Sequence, residues 1–121
     1  MSQIIIAEDE HELRSVLVDA LSHLRIRVLE ARDGIEAFQL LRENPTVSLL
    51  LSDVRMPGMD GYALVERALE LNPDLKVLMM TAYPSEHPPA AVLRAREVRT
   101  LSKPFKLDRM CELVTDMLMR P

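Results

Sequence analysis

Leu49-Leu50-Leu51-Ser52-Asp53-Val54-Arg55-Met56-Pro57-Gly58-Met59-Asp60-Gly61 sets the frame for the whole chain. An apolar run of strand length ends on a carboxylate, and a Pro, two Gly and an Asp then turn the chain sharply. The pattern predicts that Asp53 sits at the lip of a buried strand. On this stretch alone such an Asp serves equally well as a cap for backbone N–H groups, so its meaning depends on which other side chains meet it.

Working outward, Val47 to Ser52 is the strand that delivers Asp53. Leu64, Val65, Ala68 and Leu71 follow at helical spacing and are closed by Asn72-Pro73. On the upstream side, Ile35, Phe38 and Leu41 mark a helix that opens after Asp33-Gly34 and stops before Asn44-Pro45. Before it come a strand from Ile26 to Ala31 and an amphipathic helix from about His11 to Leu24, with Leu13, Val16, Leu17, Ala20, Leu21 and Leu24 on one face. The first strand runs from Gln3 to Ala7, with Ile4, Ile5 and Ile6 β-branched and apolar without alternation, and ends on Glu8-Asp9-Glu10.

On the downstream side, Leu75 to Met80 is a strand, apolar apart from Lys76, ending on Thr81-Ala82. Pro84, Pro88 and Pro89 then forbid a helix through their span, so a fourth helix is predicted only from about Ala90 to Arg96. A fifth strand runs from Glu97 to Ser102 and stops at Lys103-Pro104. Leu107, Met110, Leu113, Val114, Met117 and Leu118 make a closing amphipathic helix.

Five strands alternating with five helices predict a single-domain α/β fold, a doubly wound (βα)5 arrangement with a five-stranded parallel sheet between helices on both faces. With 121 residues, 48% of them hydrophobic, residues 1–121 are expected to form one domain with one compact core, and a second folded domain is excluded. The net charge of −4 comes without a basic run interleaved with aromatics, so direct nucleic-acid binding is not expected. Arg94, Arg96 and Arg99 read as a solvated face. Cys111 is the one cysteine, which leaves no intramolecular disulfide, and its apolar helical setting makes it a small core residue. No leader-like or membrane-spanning run is present, so a reduced, cytoplasmic setting without membrane association is expected.

Ligands of open parallel sheets gather at the carboxyl ends of the strands. Here those ends carry Glu8 and Asp9 after the first strand, Asp53 after the third, Thr81 after the fourth and Lys103 after the fifth. Clustered carboxylates repel one another unless a cation neutralises them, and all-oxygen donors suit Mg²⁺. An ionised Asp needs no general base to attack phosphorus. Asp53 is thus a candidate nucleophile that forms an acyl phosphate, with the Lys103 ammonium and the Thr81 hydroxyl sharing the transferred charge.

The set Glu8-Asp9, Asp53, Met56-Pro57-Gly58-Met59-Asp60-Gly61, Thr81-Ala82 and Lys103-Pro104-Phe105 resembles a response-regulator receiver domain of the CheY-like kind over essentially the whole chain. The resemblance implies a flavodoxin/CheY-like fold with Asp53 as phosphoacceptor in a two-component phosphorelay. It implies that Asp9, Asp53 and the backbone carbonyl of Arg55 ligate Mg²⁺, with Glu8 acting through metal-bound water. Lys103 would bind a phosphoryl oxygen, and Thr81 would reorient to hydrogen-bond the phosphoryl group. The implied partners are a sensor histidine kinase or histidine phosphotransfer protein and an unidentified downstream protein. The chain would not be an enzyme beyond its own phosphorylation and dephosphorylation.

The closing stretch Leu101 to Leu107 resembles both stand-alone receivers of the CpdR type and receivers attached to hybrid histidine kinases. No output domain is expected after the last helix, so partner exchange rather than a grip on DNA would be the output. One departure from the family pattern is Thr100, which stands where an aromatic residue commonly precedes the lysine. Tyr83 is the nearest aromatic substitute, and Arg55 and Tyr83 occupy positions that, by resemblance, tune loss of the phosphoryl group.

Other classes fit less well. A haloacid-dehalogenase phosphatase wants a second Asp two residues beyond the nucleophile, where this chain has Arg55. With only Gly34, Gly58 and Gly61, neither glycine-rich nucleotide-binding pattern can be written. His11, His23 and His87 lack metal-ligand spacing. The serious alternative is a phosphorylation-independent interaction module that keeps the fold, which failure to bind Mg²⁺ would distinguish.

Overall fold

The computed structural model describes residues 2–83 and 87–120. Pro84, the first of the three prolines invoked above, lies outside the described residues. In chain order the elements are β1 (Gln3–Ala7), α1 (His11–Ser22), β2 (Arg27–Ala31), α2 (Gly34–Glu43), β3 (Leu49–Asp53), α3 (Gly61–Leu71), β4 (Lys76–Thr81), a 3-10 helix (Val92–Arg94), β5 (Glu97–Ser102) and α4 (Leu107–Met119). Among the described residues the strands form one five-stranded sheet in the order β2-β1-β3-β4-β5, every pairing parallel.

The continuous apolar runs of β1, β3 and β4 follow from burial on both faces. Ile5, Leu50, Val77 and Met79 face a core shared with Ala37 and Leu41 of α2, Leu64, Val65 and Ala68 of α3, and Val92. Their alternates Ile4, Ile6, Leu49, Leu51, Leu78 and Met80 face a second core built with Leu17 and Leu21 of α1 and Met110, Leu113, Val114 and Met117 of α4. A side chain such as Leu50, with no exposed surface, contributes about 1.5–3 kcal/mol by leaving water. Truncating it to Ala would cost about 2–5 kcal/mol once the cavity is included.

Two of the four α-helices start on an Asp cap. Asp33 accepts the Glu36 N–H at 2.8 Å to open α2, and Asp60 accepts the Ala63 N–H at 2.8 Å to open α3. Gly61 is required by a close approach, because a Cβ there would collide with the Asp53 carbonyl oxygen. The turn before it uses Gly58 at φ +79°, a left-handed conformation that glycine adopts without penalty.

Several sequence expectations need correction. The fourth α-helix, expected from Ala90 to Arg96, is reduced to the three-residue 3-10 helix Val92–Arg94, which packs against α3. The single Pro89 carbonyl accepts from the N–H groups of both Val92 and Leu93, and Ala95 has already left helical geometry at ψ 149° before β5 begins. One anchored side chain, Val92, does the packing that a full helix was expected to do. Helix α1 ends at Ser22 rather than Leu24, since the chain turns through Arg25 at φ 55°. β3 begins at Leu49 because the Val47 N–H is spent on a turn to the Asn44 carbonyl, and β4 extends to Thr81.

The periodic positions Val16 and Ile35 are 45% and 62% exposed, because only Leu17 and Leu21 of α1 are fully buried and Ile35 lies in the first turn of α2 near Gly58. Cys111 is half-buried beside the second core. No helix among the described residues is long and apolar enough to cross a membrane.

Candidate functional site

The parallel register brings the ends of β1, β3, β4 and β5 to one edge. Asp53 is the last residue of β3 and stands opposite Met80 of β4, while Thr81 stands opposite Ser102 of β5. The backbone N–H of Lys103, one step beyond β5, donates to the Thr81 carbonyl at 2.7 Å. That bond fixes where the lysine side chain leaves the sheet.

Its ammonium spans two carboxylates. Lys103 Nζ donates to Asp53 Oδ2 at 2.9 Å and to Glu8 Oε1 at 3.3 Å. Asp53 Oδ1 accepts the Arg55 N–H at 3.3 Å. Glu8 is almost wholly buried, and its Oε2 accepts the Glu10 N–H at 2.9 Å. Its own N–H donates to the Ala31 carbonyl at the end of β2 at 3.1 Å. The second strand therefore anchors Glu8 through its backbone.

One carboxylate oxygen each from Glu8, Asp9 and Asp53 lie within 4.8 Å of one another, with Asp9 the exposed member. Burial pushes the Glu8 carboxyl up to about 7, and the neighbouring Asp53 charge adds to the rise against the opposing Glu10 hydrogen bond and the Lys103 charge. For Lys103, burial pulls the pKa down, but the hydrogen bond and charge of Asp53, then those of Glu8, outweigh it and leave the ammonium above its ordinary value. Three hard oxygen donors with surplus negative charge and a single compensating ammonium are a donor set that suits Mg²⁺.

Thr81 is buried at the end of β4, and its Oγ1 accepts the Tyr83 N–H at 2.9 Å, an arrangement that leaves the hydroxyl proton free to donate elsewhere. Tyr83 is exposed, and the Arg55 guanidinium lies over its ring, 5.4 Å from the centroid. Thr100 is exposed on β5 opposite Met79.

The structure thus brings Glu8, Asp9, Asp53, Thr81 and Lys103 to one edge and sets Arg55 beside Asp53. The sequence reading did not single out Arg14. Its Nη1 donates to the Glu8 carbonyl at 2.9 Å, its Nε to Glu30 Oε1 at 3.1 Å, and its Nη2 lies 3.1 Å from His11 Nδ1. The available signal was a cation near the start of a helix, where the macrodipole disfavours it unless an acceptor compensates.

Residues 4–115 match the family described as response regulator receiver domain. The chain belongs to that family. Among curated relatives, the response regulator receiver protein CpdR of Brucella abortus is 37% identical over 118 residues, covering 98% of each chain. The sensor histidine kinase RcsC of Escherichia coli is 34% identical over 113 residues, which are 93% of this chain but 12% of RcsC. Among solved structures, the receiver domain of the hybrid histidine kinase CckA superposes with a TM-score of 0.83 at 34% identity, covering 98% of this chain and 100% of that one. The response regulator TrrA of Thermotoga maritima, in complex with Mg²⁺-BeF, has a TM-score of 0.83 at 25% identity and covers 97% of this chain and 99% of its own. The receiver sheet and its acidic edge are therefore the setting in which the chemistry of this chain is to be read.

Proposed function

We propose that this receiver takes up a phosphoryl group on Asp53 in a Mg²⁺-dependent reaction and thereby changes which protein it binds. The observation that carries the reading is Lys103 Nζ bonded to both Asp53 and Glu8, with Asp9 completing the acidic cluster. The donor is a phosphohistidine of a sensor histidine kinase or histidine phosphotransfer protein. An Asp53 carboxylate oxygen attacks the phosphorus, the P–N bond breaks, and its electron pair leaves on the imidazole nitrogen.

Glu8, Asp9, Asp53 and the backbone carbonyl of Arg55 would hold Mg²⁺, with Glu8 acting through bound water. When bound, the ion offsets the charge of the carboxylates and of the incoming phosphoryl oxygens. The TrrA complex with Mg²⁺-BeF supports a site of this kind in a relative. Lys103 exchanges its bond to Asp53 for one to a phosphoryl oxygen. The Thr81 hydroxyl turns to donate to another oxygen, and the segments after β4 and β5 move with these two residues. Chemistry of its own is limited to gaining and losing this group. A cytoplasmic setting and an unidentified downstream protein belong to the same proposal.

The test is intact mass after incubation with a small-molecule phosphodonor, with and without Mg²⁺, on wild type and Asp53→Asn. One added phosphoryl group that needs both the metal and Asp53 is the expected result. No addition together with no Mg²⁺ binding would replace this reading with a phosphorylation-independent interaction module.

A further inference from the structure

Two of the helices that begin at the site edge are capped by an Asp, but α1 is not: its N-cap residue, Glu10, makes no side-chain cap hydrogen bond. The loop from β1 into α1 carries Glu8 and Asp9 and needs another anchor. Arg14 supplies it from the next turn of the helix. Its side chain is only 12% exposed, and its fork reaches the Glu8 carbonyl, the Glu30 carboxylate on β2 and the His11 ring at once.

The Glu8 carbonyl belongs to the peptide that joins Glu8 to Asp9. Gripping that oxygen at 2.9 Å fixes the peptide plane, and with it the N–Cα bond of Asp9, so that only rotation about that one bond is left to redirect where its side chain leaves the loop. The Glu8 N–H is already held by Ala31, so both sides of the residue are tied to β2, one directly and one through Arg14 and Glu30. A guanidinium suits this task because its donors are held in one rigid plane and can serve three acceptors together.

We propose that Arg14 is a positioning residue for the acidic site, holding the Glu8–Asp9 peptide so that the Asp9 carboxylate stays with those of Glu8 and Asp53. It touches none of the reacting atoms. The inference rests on the Mg²⁺-dependent reading above and deepens it. Residues that orient metal ligands typically change metal affinity by about 10–100-fold when removed.

The experiment is calorimetric titration of Mg²⁺ into wild type, Arg14→Ala, Arg14→Lys and Glu30→Gln, each first shown to be folded by circular dichroism. Phosphorylation rates are then measured against Mg²⁺ concentration. Arg14→Ala is expected to weaken Mg²⁺ binding by roughly tenfold or more and to raise the Mg²⁺ concentration that half-saturates the rate, while the rate at saturating Mg²⁺ stays near wild type. Arg14→Lys, which can still reach one acceptor, should recover part of the affinity. Glu30→Gln, which loosens Arg14 from its far end, should move it in the same direction by less. If Arg14→Ala does not fold, the Lys and Glu30 variants carry the same comparison. Unchanged Mg²⁺ affinity in the folded variants overturns the positioning role. Failure of the wild type itself to bind Mg²⁺ overturns instead the function on which the role depends.

Discussion

Lys103 Nζ lies 2.9 Å from Asp53 Oδ2 across 50 positions of sequence, and the same nitrogen reaches Glu8 Oε1 at 3.3 Å. One cation therefore stands between two largely buried carboxylates. Any phosphoryl group on Asp53 must draw on that same cation, so the bond that quiets the resting site is also the one a modification would rearrange.

Lys103→Ala is expected to retain Mg²⁺ binding but to lose the conformational change that accompanies phosphorylation. In a chelating buffer it should also lower stability by about 1–3 kcal/mol, because two buried carboxylates lose a charged donor. Amide chemical-shift changes on phosphorylation and urea unfolding in chelator check the two halves. An unimpaired shift pattern removes Lys103 from the switch.

The raised Glu8 pKa makes the metal-free protein sensitive to pH. A carboxyl that titrates at about 7 folded, against 4.5 for the ordinary group, binds a proton on folding anywhere between those values. Stability is then fully present below about pH 4.5 and is lost as pH rises through about 7. The loss is at most on the order of 3 kcal/mol. Urea unfolding in chelator at intervals across this window should show falling stability in wild type and a much flatter profile in Glu8→Gln. Added Mg²⁺ should reduce the loss, since it favours the ionised form.

Much of this was legible from the chain because parallel strands buried on both faces have few options. Ile4-Ile5-Ile6, Leu49-Leu50-Leu51 and Val77 to Met80 cannot alternate with polar residues when each face meets a helix layer. Once those runs are strands, the crossover rule sends their charged ends to one edge. The elements that were misread lack such a constraint. Between Pro89 and β5 the segment is too short for a regular helix to settle, and its single buried anchor, Val92, gives no periodicity to read. Val16 and Ile35 repeat with helical spacing yet stay exposed, because apolar spacing reports a face and not how far its neighbours extend over it. Arg14 escaped for a different reason: a cation near a helix start is a weak signal, and what it does depends on a backbone carbonyl and a residue of β2 that the sequence does not tie to it.

Gly61 offers a test of how tightly the strand that ends on Asp53 is held against α3. A Cβ at this position collides with the Asp53 carbonyl oxygen, which is backbone and cannot step aside without moving the site. Gly61→Ala should cost about 2 kcal/mol or more and should slow phosphoryl uptake. Gly58→Ala, penalised by its φ of +79° with only ordinary contact to Ile35, should cost about 1 kcal/mol and leave the uptake rate closer to wild type. Urea unfolding and labelling rates separate the two; equal rate losses would mean that loop conformation, not the Asp53 contact, controls the site.

The Arg55 guanidinium over the Tyr83 ring, at 5.4 Å, bridges the loop after β3 and the loop after β4, two residues beyond Asp53 and Thr81 respectively. Were Asp53 to carry a phosphoryl group, such a bridge would cover it only while closed, and an exposed cation–π contact is worth about 0.5–1 kcal/mol. If closure limits hydrolysis, Tyr83→Ala should shorten the phosphoryl lifetime by about two- to fivefold. Arg55→Ala should do the same, and the double variant should do little more than either, since each change removes the same contact. Decay of the phosphorylated mass after donor removal measures all four proteins. Additive shortening in the double variant would show that Arg55 and Tyr83 act on water separately, and a lengthened lifetime in Tyr83→Ala would show that the ring admits water to the site instead of covering it.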